Sequence, residues 1–225
     1  MTKSRDLKEA CVAEALAILA AEGIEKLSLR EVSRRLNVSH QAPYRHFPSR
    51  DHLLAEIVAR AFRDFASALD ESAHIDDAEL ALTAMGMTYL NYAKREPLAY
   101  RLMFQTPLPS PEVHPEMMLE ARHAFDLLRR ALQRISNDGH PENKKANKRP
   151  GNDLITRNAL FLWSTLHGFA SIQSSSAVET LALPNSLMEA MIPHLFMCMR
   201  SGINLGPFPA AHTEFFNSLS MWPAP

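Results

Sequence analysis

SLREVSRRLNVSHQAPYRHFPSRDHLLAEI, residues 28–57, is the stretch whose reading decides the fold. It opens on Ser28-Leu29-Arg30-Glu31, a capping box: a serine followed three residues later by a glutamate, whose side chains can reciprocally satisfy amide donors that the first turn of a helix leaves orphaned. From that start Leu29, Val32 and Leu36 fall on one helical face, while Arg30, Arg34 and Arg35 fall mostly off it. Asn37 comes next, and asparagine is one of the few residues other than glycine that tolerate the left-handed conformation of a sharp reversal. Val38 is placed to plug the corner. Ser39 is placed to cap a second helix that exposes His40, Gln41, Tyr44 and Arg45 and buries Phe47. Pro48 pushes the residue before it out of helical geometry, and Ser49 with Asp51 begins another helix. Two short helices around a three- or four-residue turn form a helix-turn-helix, whose second helix can lie in the major groove with its early residues against base edges.

The run Tyr44-Arg45-His46-Phe47, continued by Pro48-Ser49-Arg50-Asp51 and Leu53-Leu54, resembles the end of the recognition helix in TetR-type transcriptional regulators, and the resemblance covers roughly residues 7–57. It implies base reading by Arg30, at the start of the preceding helix, and by His40, Gln41 and Ala42. Glutamine can pair bidentately with adenine and arginine with guanine, and an alanine methyl can meet a thymine methyl. Tyr44, His46 and Arg50 match phosphate-contacting positions, Ser39 can donate to a phosphate or simply cap, and Arg45 can serve either purpose. Pro43 departs from the commoner leucine; near the first turn it costs at most one hydrogen bond and stiffens the reading end. One such helix covers only a few base pairs, so two copies are expected on a pseudo-palindromic double-stranded operator, their recognition helices about 34–36 Å apart.

Composition agrees with an all-α chain: 225 residues, 46% apolar and 22% charged, with only 7 glycines. The expected organisation is a helix-turn-helix domain over 1–50, a helical ligand-binding and dimerisation domain over 51–200 and a C-terminal tail over 201–225. The net charge of −1 conceals an asymmetry, since residues 23–50 hold 6 Lys/Arg against 2 Asp/Glu, a local basic patch of the kind that attracts phosphates. No stretch has the length of a membrane span and MTKSRDLKEA lacks the apolar core of a signal peptide, so a cytoplasmic protein is expected. Cys11 and Cys198 stand alone and read as two buried thiols. The ten histidines are scattered, no Ser/His/Asp or metal-spaced set occurs and glycine-rich phosphate loops are absent, so no catalytic residue, metal or cofactor is expected.

Along the chain, a first helix over residues 5–22 carries Leu7, Cys11, Val12, Ala15, Leu16 and Leu19 and ends at Gly23. The helix from Ser49 to about Ala73 outruns any helix-turn-helix requirement and becomes a mechanical link to the rest. A helix over 76–95 shows Leu80, Leu82, Met85, Tyr89 and Tyr92. Pro97 opens a short helix through Phe104, and three prolines between Thr106 and Pro111 make a loop. The next helix, His114–Asn137, carries Met117, Met118, Ala121, Phe125, Leu128, Leu132 and Ile135. Residues 139–152 are polar and basic; Lys144, Lys145, Lys148 and Arg149 read first as a solvated linker and second as an additional nucleic-acid contact. Helical periodicity returns over 153–178 through Leu154, Asn158, Phe161, Leu162, Thr165, Leu166, Phe169 and Ile172, and over 185–200, where Pro193 should kink the helix or shift its start. These last two long helices suggest a homodimer seam. The tail packs back on the body or across a dimer partner.

Within the 153–178 segment, Trp163, His167 and Gly168 resemble the Trp-His-Gly segment of one group of TetR-type C-terminal domains, Gly168 allowing close helix approach. The family resemblance implies that DNA affinity is coupled to a small, mostly apolar effector. The candidate lining is Met85, Tyr89, Tyr92, Phe104, Met118, Arg122, His123, Trp163 and His167, against the plain alternative that these are core. A second functional class also fits: a DNA-bound chromosome-organising or division factor acting through a protein partner.

Overall fold

The computed structural model describes residues 2–138 and 152–204, and every regular element among them is helical. The basic 139–151 segment and the tail beyond residue 204 lie outside the described residues, and so do the readings made of them.

Helix α1 (Thr2–Glu22) stops at Gly23, whose φ of 82° is open to glycine at little cost. A 3₁₀ turn, Ile24–Lys26, leads to α2 (Leu29–Arg35). The buried face of α1 is Cys11, Val12, Ala15, Ile18 and Leu19; Leu16 turns outward and Ile18 takes its place. Only half of the capping box forms. Ser28 Oγ accepts from the Glu31 amide at 3.1 Å, but the Glu31 carboxylate turns to Arg34 (2.6 Å) and Arg35 (2.8 Å), which hold its pKa at about 2.

Helix α3 (Arg50–Asp70) starts where Ser49 Oγ accepts from the His52 amide at 3.3 Å, and passes through a 3₁₀ turn, Glu71–His74, to α4 (Ala78–Arg95). Glu96 separates α4 from α5 (Pro97–Phe104), with Pro97 in the first turn where its missing N–H costs nothing. Then come α6 (Pro115–Asp138) and α7 (Asn152–Gln173). Helix α7 ends about a turn earlier than its periodicity suggests, because the Ser174 and Ser175 hydroxyls donate to the Ala170 and Ile172 carbonyls and compete with the backbone. The chain forms two compact units, one through Ser176 and one from Ala177. The second contains α8 (Ala177–Thr180) and α9 (Asn185–Asn204), and α9 continues through Pro193.

In the first unit α3 is the central pillar, packed against α1, α4, α5 and α6. Its buried residues, among them Leu53, Leu54, Ile57, Val58, Phe62, Phe65 and Leu69, surround most of its circumference, as expected of a helix buried among others. Arg60 pairs with Glu9 of α1 (2.5 Å), Lys8 of α1 with Glu56 (3.2 Å), and Arg63 with Glu120 of α6 (2.7 Å). At the far end of α6 the Arg134 guanidinium donates to the carbonyls of Ala73, Ile75 and Asp76, closing the corner between α3 and α4.

Several expected stripes are rotated. On α4 the buried face is Ala78, Ala81, Met85, Gly86, Tyr89, Leu90 and Ala93, with Leu80 57% exposed. On α6 it is centred on Met117, Ala124, Leu127, Ala131 and Leu132, while Met118, Ala121, Phe125, Leu128 and Ile135 flank it half-buried. On α7 it is Ile155, Ala159, Leu162, Leu166, Phe169 and Ala170, and Leu154, Phe161 and Ile172 face outward. A Cβ built at Gly168 touches nothing within 4 Å, so the close approach expected of this glycine is not seen within the first unit. Cys11 is fully buried, as expected, but Cys198 is exposed. Among the described residues no helix is long and apolar enough to cross a membrane.

Candidate nucleic-acid interface and aromatic core

The reversal after α2 is made by Asn37 at φ 52°, the left-handed conformation that its short polar side chain tolerates. The segment beyond this reversal is wound more tightly than the expected second helix. The Ala42 amide donates to the Ser39 carbonyl at 2.9 Å, and a 3₁₀ turn, Pro43–Arg45, continues it, with the His46 and Phe47 amides both donating to the Pro43 carbonyl at 2.9 Å. Pro43 supplies the physical reason: without an N–H it cannot complete the α-helical bond back to the Ser39 carbonyl, so three-residue spacing prevails. Ser39 therefore contributes its carbonyl at this start.

The short segment is anchored from below. Pro43 and Phe47 are buried, and their positions push His40, Gln41, Tyr44 and Arg45 outward. Ala42 and His46 are half-buried, with the His46 ring set edge-on to Phe47. Arg30 is exposed at the start of α2 and makes no ion pair among the described residues. Arg50 has a different set of contacts: its guanidinium donates to the Ile24 (2.8 Å) and Leu27 (3.0 Å) carbonyls, fastening the turn after α1 to the start of α3.

The basic excess of this region is partly committed. Arg34 pairs with Glu31, and Arg35 lies among Glu31, Glu22 and Glu14. The exposed cations left without an ion pair among the described residues are Lys26, Arg30 and Arg45, two of which flank the outward-facing Gln41 and Tyr44 in sequence.

A second constellation lies in the interior between α3, α4, α5 and α7. Phe104 is its hub, with ring centroids at 5.6 Å from Phe62, 6.0 Å from Phe65 and Trp163, 5.1 Å from Tyr100 and 5.5 Å from His167. Tyr89 and Tyr92 join through Phe65. Trp163 and His167 stand one turn apart on α7 with centroids 6.2 Å apart. At the centre three polar groups meet: Tyr100 Oη lies 2.7 Å from His167 Nδ1, Tyr89 Oη 3.1 Å from both, and His167 Nε2 3.5 Å from Ser171 Oγ. One order satisfies all of them. Tyr100 donates to Nδ1, Tyr89 donates to Tyr100, and the Nε2–H tautomer faces Ser171. Burial lowers the His167 pKa and raises those of Tyr89, Tyr100 and Tyr92, the last to about 12, so every member of the cluster is neutral near pH 7.

Of the expected lining, Tyr89, Tyr92, Phe104, Trp163 and His167 are thus brought together, and Met85 is buried one turn before Tyr89. Met118 is half-buried on α6. Arg122 and His123 stand exposed on α6, with no ring contact or hydrogen bond to the cluster among the described residues. Tyr100, Phe62, Phe65 and Phe125 join the cluster without being in the expected set. The signal for Tyr100 is present in the sequence, since it lies one turn before Phe104 on the same short helix.

Among known proteins, the family model for the tetracyclin repressor-like C-terminal domain matches residues 82–195, and that for bacterial regulatory proteins of the tetR family matches residues 12–57. The HTH-type transcriptional regulator Rv1816 of Mycobacterium tuberculosis is 23% identical over 195 residues, 76% of this chain and 83% of that protein. The nucleoid occlusion factor SlmA of Glaesserella parasuis is 28% identical over 82 residues, 36% of this chain and 41% of that one. A crystal structure of a bacterial regulatory protein in the tetR family from Rhodococcus RHA1 shares the fold at a TM-score of 0.61 and 19% identity, over 84% of this chain and 95% of that one.

Proposed function

Because the chain belongs to the tetR family of bacterial regulatory proteins, we propose that this transcriptional regulator is a cytoplasmic repressor that grips a pseudo-palindromic operator as a homodimer and releases it when a small, mostly apolar effector enters the aromatic region. The observation that carries the reading is the outward presentation of His40, Gln41, Tyr44 and Arg45 on a turn held by buried Pro43 and Phe47. Gln41 has the chemistry for adenine, Arg30 for guanine, and Tyr44, Arg45 and His46 for phosphates. Arg50 acts mainly by fixing the turn behind them.

Support for a dimer comes from α7, where exposed Leu154, Phe161 and Ile172 recur at helical spacing on one face. Support for effector control comes from the polar trio within the rings, a few convergent polar groups in apolar surroundings. An effector competing for those hydrogen bonds would repack α5 and α7 against α3, whose first turn borders the DNA-reading segment, and change the spacing of the two heads.

Fluorescence anisotropy with the DNA upstream of the gene, against scrambled DNA and across a salt series, tests the reading. Selective binding that weakens with salt is expected, with Gln41→Ala losing roughly 1–3 kcal/mol of discrimination and Tyr44→Ala weakening both DNAs alike. Equal, weak binding to both DNAs, together with no enrichment from a random-sequence library, would overturn it. The partial likeness to SlmA favours one other reading, a chromosome-organising factor. Genome-wide occupancy separates the two, a few promoters for the repressor and many dispersed sites for the organiser.

A further inference from the structure

A groove of ≈ 360 Å³ opens between the end of α1 with its adjoining turn on one side and α5 on the other, a volume within the usual range for small-molecule sites. Leu19, Ile24, Leu98 and Leu102 make its walls aliphatic, and no aromatic ring lines it. Among the described residues a single cation, Arg101, reaches it, with Gln105 one turn further on at the end of α5 and no carboxylate in the lining. Arg101 is exposed and makes no ion pair among the described residues. Among the described residues the Gln105 side chain is held only by a long bond to Ser171 Oγ at 3.5 Å.

An uncommitted guanidinium above an aliphatic trough selects a ligand with one planar anionic end and an apolar body. The guanidinium fork matches a carboxylate bidentately, and one guanidinium neutralises a monoanion fully, whereas a doubly charged phosphate monoester would hold an uncompensated charge against the aliphatic walls. We propose that this groove binds a small aliphatic monocarboxylate, its head on Arg101 and Gln105 and its chain along Leu19, Ile24, Leu98 and Leu102. The groove shares no lining residue with the aromatic cluster, although Ser171 faces Gln105 on one side and His167 on the other. Its occupant touches both the DNA-reading end of the molecule and α5, because Ile24, in one wall, also gives its carbonyl to Arg50 at the head of α3. A carboxylate there fastens the turn after α1 to α5.

Isothermal titration calorimetry of the full chain with hexanoate tests this, with hexan-1-ol as the uncharged counterpart. Saturable binding at one site per chain is expected for hexanoate and not for hexan-1-ol, weakened about tenfold or more in Arg101→Ala and only partly restored in Arg101→Lys, which keeps the charge but not the fork. Exposure and the lack of an ion pair at Arg101 leave both variants able to fold, which unchanged thermal melts by circular dichroism verify; Gln105→Ala, with a smaller loss, supplies an independent variant. Hexanoate binding no better than hexan-1-ol, or binding equally to the native chain and Arg101→Ala, overturns the proposal. No DNA enters the titration, so a failure here and a failure of the operator reading are told apart.

Discussion

His167 is the residue on which the interior of the C-terminal region turns. Its Nδ1 lies 2.7 Å from the Tyr100 hydroxyl, where the neutral ring with its hydrogen on Nε2 accepts from that hydroxyl, and burial lowers its pKa. His114 is lowered too, by burial and by the His52 ring edge-on at 4.7 Å. In the unfolded chain both imidazoles take up a proton at about pH 6.5, above their folded values. Their contribution to stability is therefore full above about pH 6.5 and is lost as the pH falls from there toward the folded pKa values. Urea midpoints are expected to fall between pH 7.5 and pH 5.5, with the drop reduced in His114→Gln and His167→Gln. A flat profile in the native chain over that interval would count against the buried, neutral placement of both rings. Glu31, held at about 2, adds acid sensitivity only below about pH 4.5, so the two ranges separate.

Element boundaries were readable because caps are local. Ser28, Ser49, Pro97 and Gly23 each mark a helix end within three residues of the signal that predicts it. Ser49 is the most consequential, since its hydroxyl contacts the amide and the ring Nδ1 of His52. Ser49→Ala is expected to cost about 1 kcal/mol of stability, read from the urea midpoint, and no loss would mean that the cap is idle. The outward set His40, Gln41, Tyr44 and Arg45 was legible for the same reason, one turn of backbone deciding it. Faces were less legible. Leu80, Leu154 and Phe161 are as apolar as the residues buried beside them, and only the positions of neighbouring helices favour Ala78, Ala81 and Ile155 instead. Arg50 illustrates the same limit: its partners lie 23 and 26 residues earlier, so position within a motif carried no information about them.

At the scale of the whole molecule, the exposed stripe Leu154, Phe161 and Ile172 is what a second copy would cover. Phe161→Asp is expected to shift sedimentation toward the monomer and to weaken binding to a full operator far more than to a half-site, while leaving the thermal melt of dilute protein little changed. An unaltered sedimentation coefficient would remove α7 from the seam. The two thiols meanwhile stand in opposite circumstances. Cys11 is sealed beneath α1 at 0% exposure with its pKa raised by burial, and Cys198 is exposed on α9. A thiol reagent added to the native protein therefore meets one cysteine at once and the other only when α1 lifts from its neighbours. The second phase of such a labelling curve is a clock for local opening of the N-terminal helices, present in the natural chain without any engineered probe.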